Sequence, residues 1–347
     1  MPARERLLDV RDLSVSFGSR ENRLLAVDRV SFAIDAGETL AIVGESGSGK
    51  SATCSAVMGL VPAPPGRVAA SSISFRGRDL SRMPPRELRR LCGREISMVF
   101  QDPMTSLNPL MTIGRQLGEV LEVHERCSRR ESRSRVRDAL ADVGIADPDV
   151  RVEAYPHELS GGMRQRAMIA MALLCKPKLL FADEPTTALD VTVQAQILEL
   201  LKDLQRAHGT AIVLVTHSLG VVAGFAERVL VMYAGRIVES APTRELFARP
   251  SHPYTLGLLQ SAPRIDGDVG GRLRSIPGQP PSGERHADGR ALEACAFRPR
   301  CALAVERCAR EVPALMPRKD ARELDHRSAC FRMDDLARRE IASEVLA

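Results

Sequence analysis

The segment from Gly44 to Ser51, GESGSGKS, is the feature that most constrains the fold of this chain. An apolar run at 40–44 precedes it and a helical pattern follows it, which is the strand, glycine-rich loop and helix order of a P-loop. Its glycines allow successive backbone N–H groups to turn inward around phosphate oxygens, at the positive end of the helix. The sequence therefore predicts a site for a nucleoside triphosphate. The residues predicted to surround the phosphates are Gly44, Glu45, Ser46, Gly47, Ser48, Gly49, Lys50 and Ser51.

Acidic residues at the end of another apolar run complete the predicted reaction centre. Lys50 can reach the β- and γ-phosphates as a catalytic group, and the Ser51 hydroxyl can bind Mg²⁺. The run LLFAD ends in Asp183, and Glu184 follows it. Because α/β proteins bind ligands at the carboxyl ends of their strands, we predict that Asp183 holds Mg²⁺ through water. Glu184 is predicted to polarise the attacking water.

The alternation of apolar runs and helical patterns indicates an α/β fold. Near-continuous Val, Ile and Leu runs are typical of strands buried on both faces of a mostly parallel sheet. Such runs occur at 40–44, 96–100, 179–183, 211–216 and 229–233. Residues 7–17 and 27–34 alternate apolar and polar side chains, which favours an antiparallel flap. Between about 105 and 165 the periodicity is helical and polar, which indicates a helical insert.

A second anion-binding motif and two polar residues follow further predicted elements. Ser160, Gly161 and Gly162 open a predicted helix, and a helix N-terminus of this composition is a second anion cradle. One triphosphate needs one cradle, so the second would serve a nucleotide held by another subunit. Gln101 and His217 each follow a predicted strand, where their side chains can face the γ-phosphate.

Together these motifs resemble the ATP-binding cassette (ABC) ATPases, in the order P-loop, Gln101, Ser-Gly-Gly, Asp183-Glu184, Ala188-Leu189-Asp190 and His217. The resemblance implies a RecA-like mixed-sheet core, an antiparallel β flap and a helical subdomain. It also implies that two cassettes sandwich two ATP molecules head to tail, with each P-loop facing the partner's Ser-Gly-Gly signature. Met163 departs from the common signature at its fifth position, but the donors of the first four positions are kept.

The same resemblance implies a role for each site residue. Glu184 would be the general base, His217 the γ-phosphate switch and Asp190 part of the cross-dimer loop. Gln101 would contact Mg²⁺ and link the site to a membrane partner. Phe17 is the candidate ring that stacks on adenine, and a place in the core of its strand is the alternative.

Longer stretches resemble one branch of this family, the ATPase subunits of dipeptide and oligopeptide importers. IVGESGSGKS, VFQDPMTSLNP, YPHELSGGMRQR and HPYTLGLL match its pattern, and the likeness covers about residues 7–332, nearest to the D-type subunits. The resemblance implies ATP hydrolysis coupled to peptide import, with a distinct F-type ATPase, two transmembrane permeases and an extracytoplasmic peptide-binding protein as partners. Nickel-chelate import is the alternative within this branch, and a soluble ABC ATPase is the alternative from another class.

The composition limits the partners and the location. Lys and Arg number 49 against 44 Asp and Glu, only 3% of residues are aromatic and Trp is absent, so we expect no nucleic-acid partner. No apolar stretch reaches the roughly 18 residues of a membrane span, and MPARERLLDV lacks a signal-peptide core. We therefore expect a cytosolic chain, and the resemblance places it peripherally on the cytoplasmic face of the membrane.

Eight cysteines are many for a cytosolic chain, where disulfides are rare. Four of them have the neighbours of core residues: Cys54, Cys92, Cys127 and Cys175. The other four lie near the C-terminus: Cys295, Cys301, Cys308 and Cys330. Their spacing, Cys-x5-Cys-x6-Cys-x21-Cys, lacks the tight pairs of most zinc ribbons. It leaves an iron–sulfur cluster, zinc and no metal open.

The peptide-importer branch resembles this C-terminal part in its CxFxPRC motif and in the later cysteines. In that branch the four cysteines bind a four-iron, four-sulfur (4Fe-4S) cluster, which the resemblance implies here. A structural role fits better than electron transfer, because the tail is too short and polar to build a strong core of its own. Arg298, Arg300 and Arg307 flank the cysteines and can offset the negative charge of such a cluster. A redox-sensing module is the third interpretation of the chain.

The composition changes at Pro250, from alternating strands and helices to Pro, Gly and Arg. We predict a nucleotide-binding domain over 1–250, with a helical subdomain at about 102–165. A small Cys-rich C-terminal extension is predicted over 251–333, followed by a tail over 334–347.

Overall fold

The computed structural model describes residues 4–19, 23–187, 189–261, 275–280, 293–318 and 325–337. Within these residues the chain forms two compact units, described in turn. The first contains the described parts of 1–7, 34–38 and 82–215, and the second those of 8–33, 39–81 and 216–347.

Parallel strands and a helical region make up the first unit. Its strands are β7 (Ile96–Val99), β8 (Leu179–Asp183) and β9 (Ala211–Thr216). β8 pairs in parallel with both β7 and β9, and every residue of the three strands is buried. The three predicted runs are confirmed as strands, and their continuous apolar sequence follows from burial on both faces.

Helices fill most of the remaining first unit. They are α2 (Pro85–Leu91), α3 (Pro103–Ser106), α4 (Ile113–Glu125), α5 (Arg129–Asp142), α6 (Pro148–Arg151), α7 (Gly161–Leu173) and α8 (Val191–His208). Thr112 caps α4 and Ser128 caps α5, because each hydroxyl accepts a hydrogen bond from a backbone N–H of the first turn. The Arg-rich helix α5 buries Ser132, Val136 and Leu140.

An antiparallel sheet in the second unit confirms the predicted flap. Its strands are β1 (Arg6–Gly18), β2 (Arg23–Asp35), β4 (Arg67–Ala69), β5 (Ser72–Phe75) and β6 (Arg78–Asp79). β1 pairs antiparallel with β4 and β5, and β5 with β6. The apolar residues at alternate positions of β1, such as Leu8 and Val10, are fully buried.

A second ladder in this unit joins the nucleotide-binding part to the cysteine-rich part. It runs β12 (Met316–Pro317), β13 (Arg327–Ser328), β11 (Arg236–Pro242), β10 (Arg228–Tyr233) and β3 (Thr39–Val43). β10 is parallel to β3, and the other pairs are antiparallel.

The helices of the second unit are α1 (Lys50–Val57), α9 (Leu219–Ala223), α10 (Thr243–Ala248), α11 (Pro253–Ser261) and α12 (Met333–Ala337). Across the described parts of both units, no helix combines the length and apolarity needed to cross a bilayer.

Candidate nucleotide site and cysteine site

The P-loop connects the buried strand β3 to the N-terminus of α1 in the second unit. Gly49 is the N-cap of α1 with a φ of 100°, a conformation that side chains rarely adopt. A Cβ on Gly44 would lie 2.3 Å from the carbonyl oxygen of Met232, so this position admits only glycine. The glycine pattern thus reflects a left-handed turn at one position and a close backbone approach at another.

Lys50 and Ser48 occupy the inside of this loop. The Lys50 side chain is buried, and its Nζ donates to the carbonyl oxygens of Gly44 (2.8 Å) and Glu45 (3.1 Å). The buried Ser48 hydroxyl has no hydrogen-bond partner among the described residues. A buried unpaired hydroxyl beside an ammonium group and a helix N-terminus fits an anionic ligand such as a triphosphate.

Glu45 is held by residues from later in the chain. Its backbone N–H donates to the Tyr254 hydroxyl (2.8 Å). Its carboxylate accepts two hydrogen bonds from the Arg300 guanidinium, Nη1 to Oε2 at 2.7 Å and Nη2 to Oε1 at 3.1 Å. Neither Tyr254 nor the pairing of Arg300 with Glu45 was predicted, because a sequence motif does not reveal contacts over 200 residues.

The carboxylate centre lies in the first unit, at the carboxyl end of β8. Asp183 is buried as the last residue of this strand. Glu184 follows with a positive φ of 45°, and one of its carboxylate oxygens accepts from Gln101 Nε2 (3.1 Å) and Thr187 Oγ1 (2.9 Å). The structure therefore brings Gln101 and Glu184 together. Thr187 was not predicted, although a hydroxyl three residues after a carboxylate in a turn is a readable signal.

The signature motif and the Asp190 loop both begin helices in the first unit. The Ser160 hydroxyl caps α7 by accepting from the Met163 N–H (3.3 Å), and a Cβ on Gly161 would meet no atom within 4 Å. Asp190 caps α8 by accepting from the Val193 N–H (2.9 Å). Ala188 lies outside the described residues. The exposed start of α7, with Gly161 and Gly162, retains the shape of an anion cradle.

Two predicted contact residues lie in the second unit. His217 is exposed directly after β9. Phe17 is half-buried near the end of β1, with Cε1 of its ring 3.3 Å from the place that a Cβ on Gly66 would take. An exposed part of the ring is compatible with stacking, so both residues stay predictions.

The four C-terminal cysteines line one small cavity of about 10 Å³ in the second unit. Phe297, Leu303 and Phe331 contribute apolar walls, and Arg298 and Arg332 also line it. Burial raises the pKa of the Cys295 and Cys301 thiols and raises that of Cys330 to about 12. Within the described ranges, no three His, Cys, Asp or Glu side chains are placed to hold a metal ion. The structure thus gathers the four thiols without confirming a metal.

The three arginines expected to offset a cluster's charge have different surroundings. Arg298 lines the cysteine cavity. Arg307 stacks over the Phe331 ring, 4.2 Å from its centroid, and pairs with Glu311. Arg300 turns away to Glu45, so its charge is compensated by the P-loop carboxylate, and the interpretation of Arg300 as a cluster counter-charge is wrong.

Two families of known proteins match parts of this chain. Residues 27–187 match the ABC transporter family, and residues 238–308 match the family described as oligopeptide/dipeptide transporter, C-terminal region. The dipeptide transport ATP-binding protein DppD of Escherichia coli is 49% identical, over 96% of this chain and 98% of its own length. The oligopeptide transport ATP-binding protein OppD of Bacillus subtilis is 55% identical, over 80% of this chain and 77% of its own.

A solved dimeric ATP-binding cassette, bound to ADP and Pi after hydrolysis, is similar in structure. Its TM-score is 0.61 and its sequence identity is 28%, and the match covers 69% of this chain and 99% of the cassette. Fold and site thus define an ABC-type ATPase. More narrowly, the chain belongs to the family of ABC transporter ATP-binding subunits that carry the oligopeptide/dipeptide C-terminal region.

Proposed function

We propose that this chain binds and hydrolyses ATP to drive peptide import by an ABC transporter. The observation that carries the proposal is a P-loop with a buried lysine and an unpaired buried serine, on the chain that also has the peptide-transporter C-terminal region. The relatives named above are dipeptide and oligopeptide transport proteins, which favours peptide over a nickel chelate. These relatives also do not favour the alternative of a soluble ABC ATPase that is not attached to a transporter.

The chemistry of hydrolysis would be shared among the predicted residues. Lys50 and the α1 N-terminus bind the phosphates, and ATP with Mg²⁺ supplies the reacting group. Ser51, Gln101 and Asp183 would hold the Mg²⁺. Glu184 would accept a proton from the attacking water, and its hydrogen bonds from Gln101 and Thr187 orient its carboxylate.

The reaction would be completed by a second ATPase chain. The exposed cradle of Ser160, Gly161 and Gly162 supports a head-to-tail dimer, since this chain has one P-loop of its own. In this arrangement Asp190 lies at the dimer boundary and His217 contacts the γ-phosphate. We propose a distinct F-type paralogue as the partner, two permeases that hold the dimer on the cytoplasmic face of the membrane, and an extracytoplasmic peptide-binding protein.

We further propose that Cys295, Cys301, Cys308 and Cys330 hold a 4Fe-4S cluster with a structural role. Four thiols around one cavity with apolar walls are a suitable donor set, because thiolates are the usual cluster ligands. The cavity is at the lower limit of the space that one water needs, so the thiols would have to separate on binding. Four cross-linked thiols would stabilise a segment with little regular structure.

Glu184→Gln tests the assignment of the general base. We expect ATP binding to persist and turnover of the complete transporter to fall about 100-fold, as for other lost proton-transfer groups. The ATP-bound closed dimer should accumulate and be visible by size-exclusion chromatography. Glu199→Gln, an exposed carboxylate on α8, is the matched control. Unchanged turnover of Glu184→Gln would remove Glu184 from this role.

Two further measurements separate the remaining parts of the proposal. Uptake of labelled dipeptides by cells with and without the chain tests the cargo, with a nickel chelate as the competing substrate. The visible spectrum and the iron and sulfide content of anaerobically purified protein test the cluster. A colourless sample that contains zinc would overturn the cluster assignment and leave the ATPase assignment intact.

A further inference from the structure

Glu45 puts a carboxylate into a loop built to collect negative charge. It is the second residue of the P-loop, between Gly44 and Ser46. The carbonyl oxygen of Glu45 is 3.1 Å from the ammonium group of Lys50, which binds phosphates in such loops. An uncompensated carboxylate here would repel a triphosphate, because like charges interact strongly where water is partly excluded.

Arg300 compensates this charge with two parallel hydrogen bonds. The guanidinium donates to both oxygens of Glu45, at 2.7 and 3.1 Å. The Arg300 side chain is 5% exposed and that of Glu45 is 24% exposed. The two hydrogen bonds form the fork-to-carboxylate geometry that only arginine provides.

The guanidinium is itself fixed by its other neighbours. Its Nε donates to the carbonyl oxygen of Pro277 (2.9 Å), and Nη1 lies 3.4 Å from the Tyr233 hydroxyl. Phe297, three residues before Arg300, packs edge-on against the Tyr233 ring with centroids 5.3 Å apart. Arg300 therefore reaches the P-loop from a rigid position.

The backbone of Glu45 is held from the same side. The fully buried Tyr254 accepts the Glu45 N–H, and the Tyr254 ring lies 5.4 Å from that of Phe297. Both the side chain and the backbone of this P-loop residue are thus fixed by residues that lie more than 200 positions later.

We propose that Arg300 is a positioning residue of the ATP site, which neutralises the Glu45 carboxylate and fixes its orientation beside the P-loop. The nucleotide site of this chain is then complete only when its cysteine-rich part is folded. This inference rests on the proposed binding of ATP at the P-loop and adds a residue that acts on ATP affinity through Glu45.

The test measures binding of a fluorescent ATP analogue to the full chain by titration, without hydrolysis. We expect Arg300→Gln to weaken binding about tenfold, the effect of losing one charged hydrogen-bonded contact. Arg300→Lys keeps the charge without the fork and should lie in between. Removing the repelling carboxylate as well, in Glu45→Gln/Arg300→Gln, should return the affinity to within about twofold of wild type, since no net charge is then left unpaired. Arg310→Gln, which changes an exposed arginine of the same segment, is the control.

The double variant distinguishes neutralisation of the Glu45 charge from a purely structural role of Arg300. If Arg300 only supported the fold, Glu45→Gln/Arg300→Gln would bind the analogue at least as weakly as Arg300→Gln. A double variant as weak as Arg300→Gln, or a folded Arg300→Gln with wild-type affinity, would overturn the proposal. If Arg300→Gln does not fold, Glu45→Gln alone decides. We expect it to bind at least as tightly as wild type, and about tenfold weaker binding would contradict the proposal. Absence of ATP binding by the wild-type chain would instead refute the proposed function.

Discussion

The P-loop and the cysteine segment (the described residues 293–318 and 325–331) are the two candidate binding sites of the second unit, and they are built in opposite ways. The P-loop is formed by eight consecutive residues whose backbone conformation follows from the glycines and from the start of α1. The cysteine segment gathers four side chains separated by loops and short 3₁₀ turns, such as Arg298–Arg300. The first site depends on backbone geometry and the second on side chains, so substitutions should affect the two sites differently.

The largest expected effect separates the two regions. Lys50→Ala removes the buried ammonium group that approaches the Gly44 carbonyl oxygen. We expect ATP turnover to fall at least about 100-fold, as for loss of a charge that stabilises the transferring phosphoryl group. If the cysteines hold a cluster, iron content per chain should be unchanged, because the cysteine cavity contains no P-loop residue. Loss of iron together with ATP turnover would show that the sites do not fold independently.

A smaller effect, on stability, is expected from the geometry of the loop. In Gly44→Ala the new Cβ would lie 2.3 Å from the Met232 carbonyl oxygen and 2.7 Å from Ser48 Oγ. We expect a loss of about 3 kcal/mol in the free energy of unfolding, at the upper end for overpacking, measured by urea denaturation.

Gly220→Ala is the matched control for this change, because its Cβ would meet nothing closer than 3.7 Å. If both alanine variants lose the same stability, close backbone approach is not the reason for glycine at position 44.

The two regions also differ in how far the sequence predicts them. Strands such as β8 were predicted with their ends, because burial on both faces makes a continuous apolar run and Asp183 marks its end. The P-loop was predicted because its conformation is set by consecutive residues. Tyr254 and Arg300 were not assigned to Glu45, because they reach it through tertiary packing of residues far apart in the chain.

In the cysteine region the sequence predicted the grouping of the cysteines but missed the direction of a neighbouring side chain. The sequence indicated that Cys295, Cys301, Cys308 and Cys330 belong together, and the structure places them around one cavity. The sequence did not reveal that Arg300 points to the P-loop, because the position of a charged residue in a sequence does not tell which way its side chain points.

We expect the stability of the fold to depend on pH through His252, which lines the cysteine cavity in the second unit. Burial lowers the pKa of His252 to about 3, below that of an unfolded histidine at about 6.5. The unfolded chain therefore binds a proton between these values that the folded chain does not. This contribution destabilises the fold as the pH falls below 6.5, by about 2 kcal/mol between pH 7 and pH 5.

His252→Gln should remove this part of the pH slope, measured by urea denaturation at pH 7, 6 and 5. The side chain of His252 accepts the Tyr254 N–H through Nδ1, and glutamine keeps an acceptor there. His157→Gln, an exposed histidine in the first unit, is the control and should leave the slope as in wild type. A slope that is equal in wild type and His252→Gln would mean that another group causes it.

The smallest expected effect tests whether the cysteine segment influences the P-loop. Cys301 directly follows Arg300, and its N–H donates to the Arg298 carbonyl oxygen within the same turn (3.2 Å). Cys330 belongs to a separate stretch of the chain, after β13. Both serine variants should lose iron if the cysteines hold a cluster. Only Cys301→Ser should also weaken binding of the fluorescent ATP analogue, by about threefold, well below the loss of a whole charged contact. Equal weakening in both variants would mean that the P-loop responds to the occupancy of the cavity as a whole, and no weakening in either would separate the two regions completely.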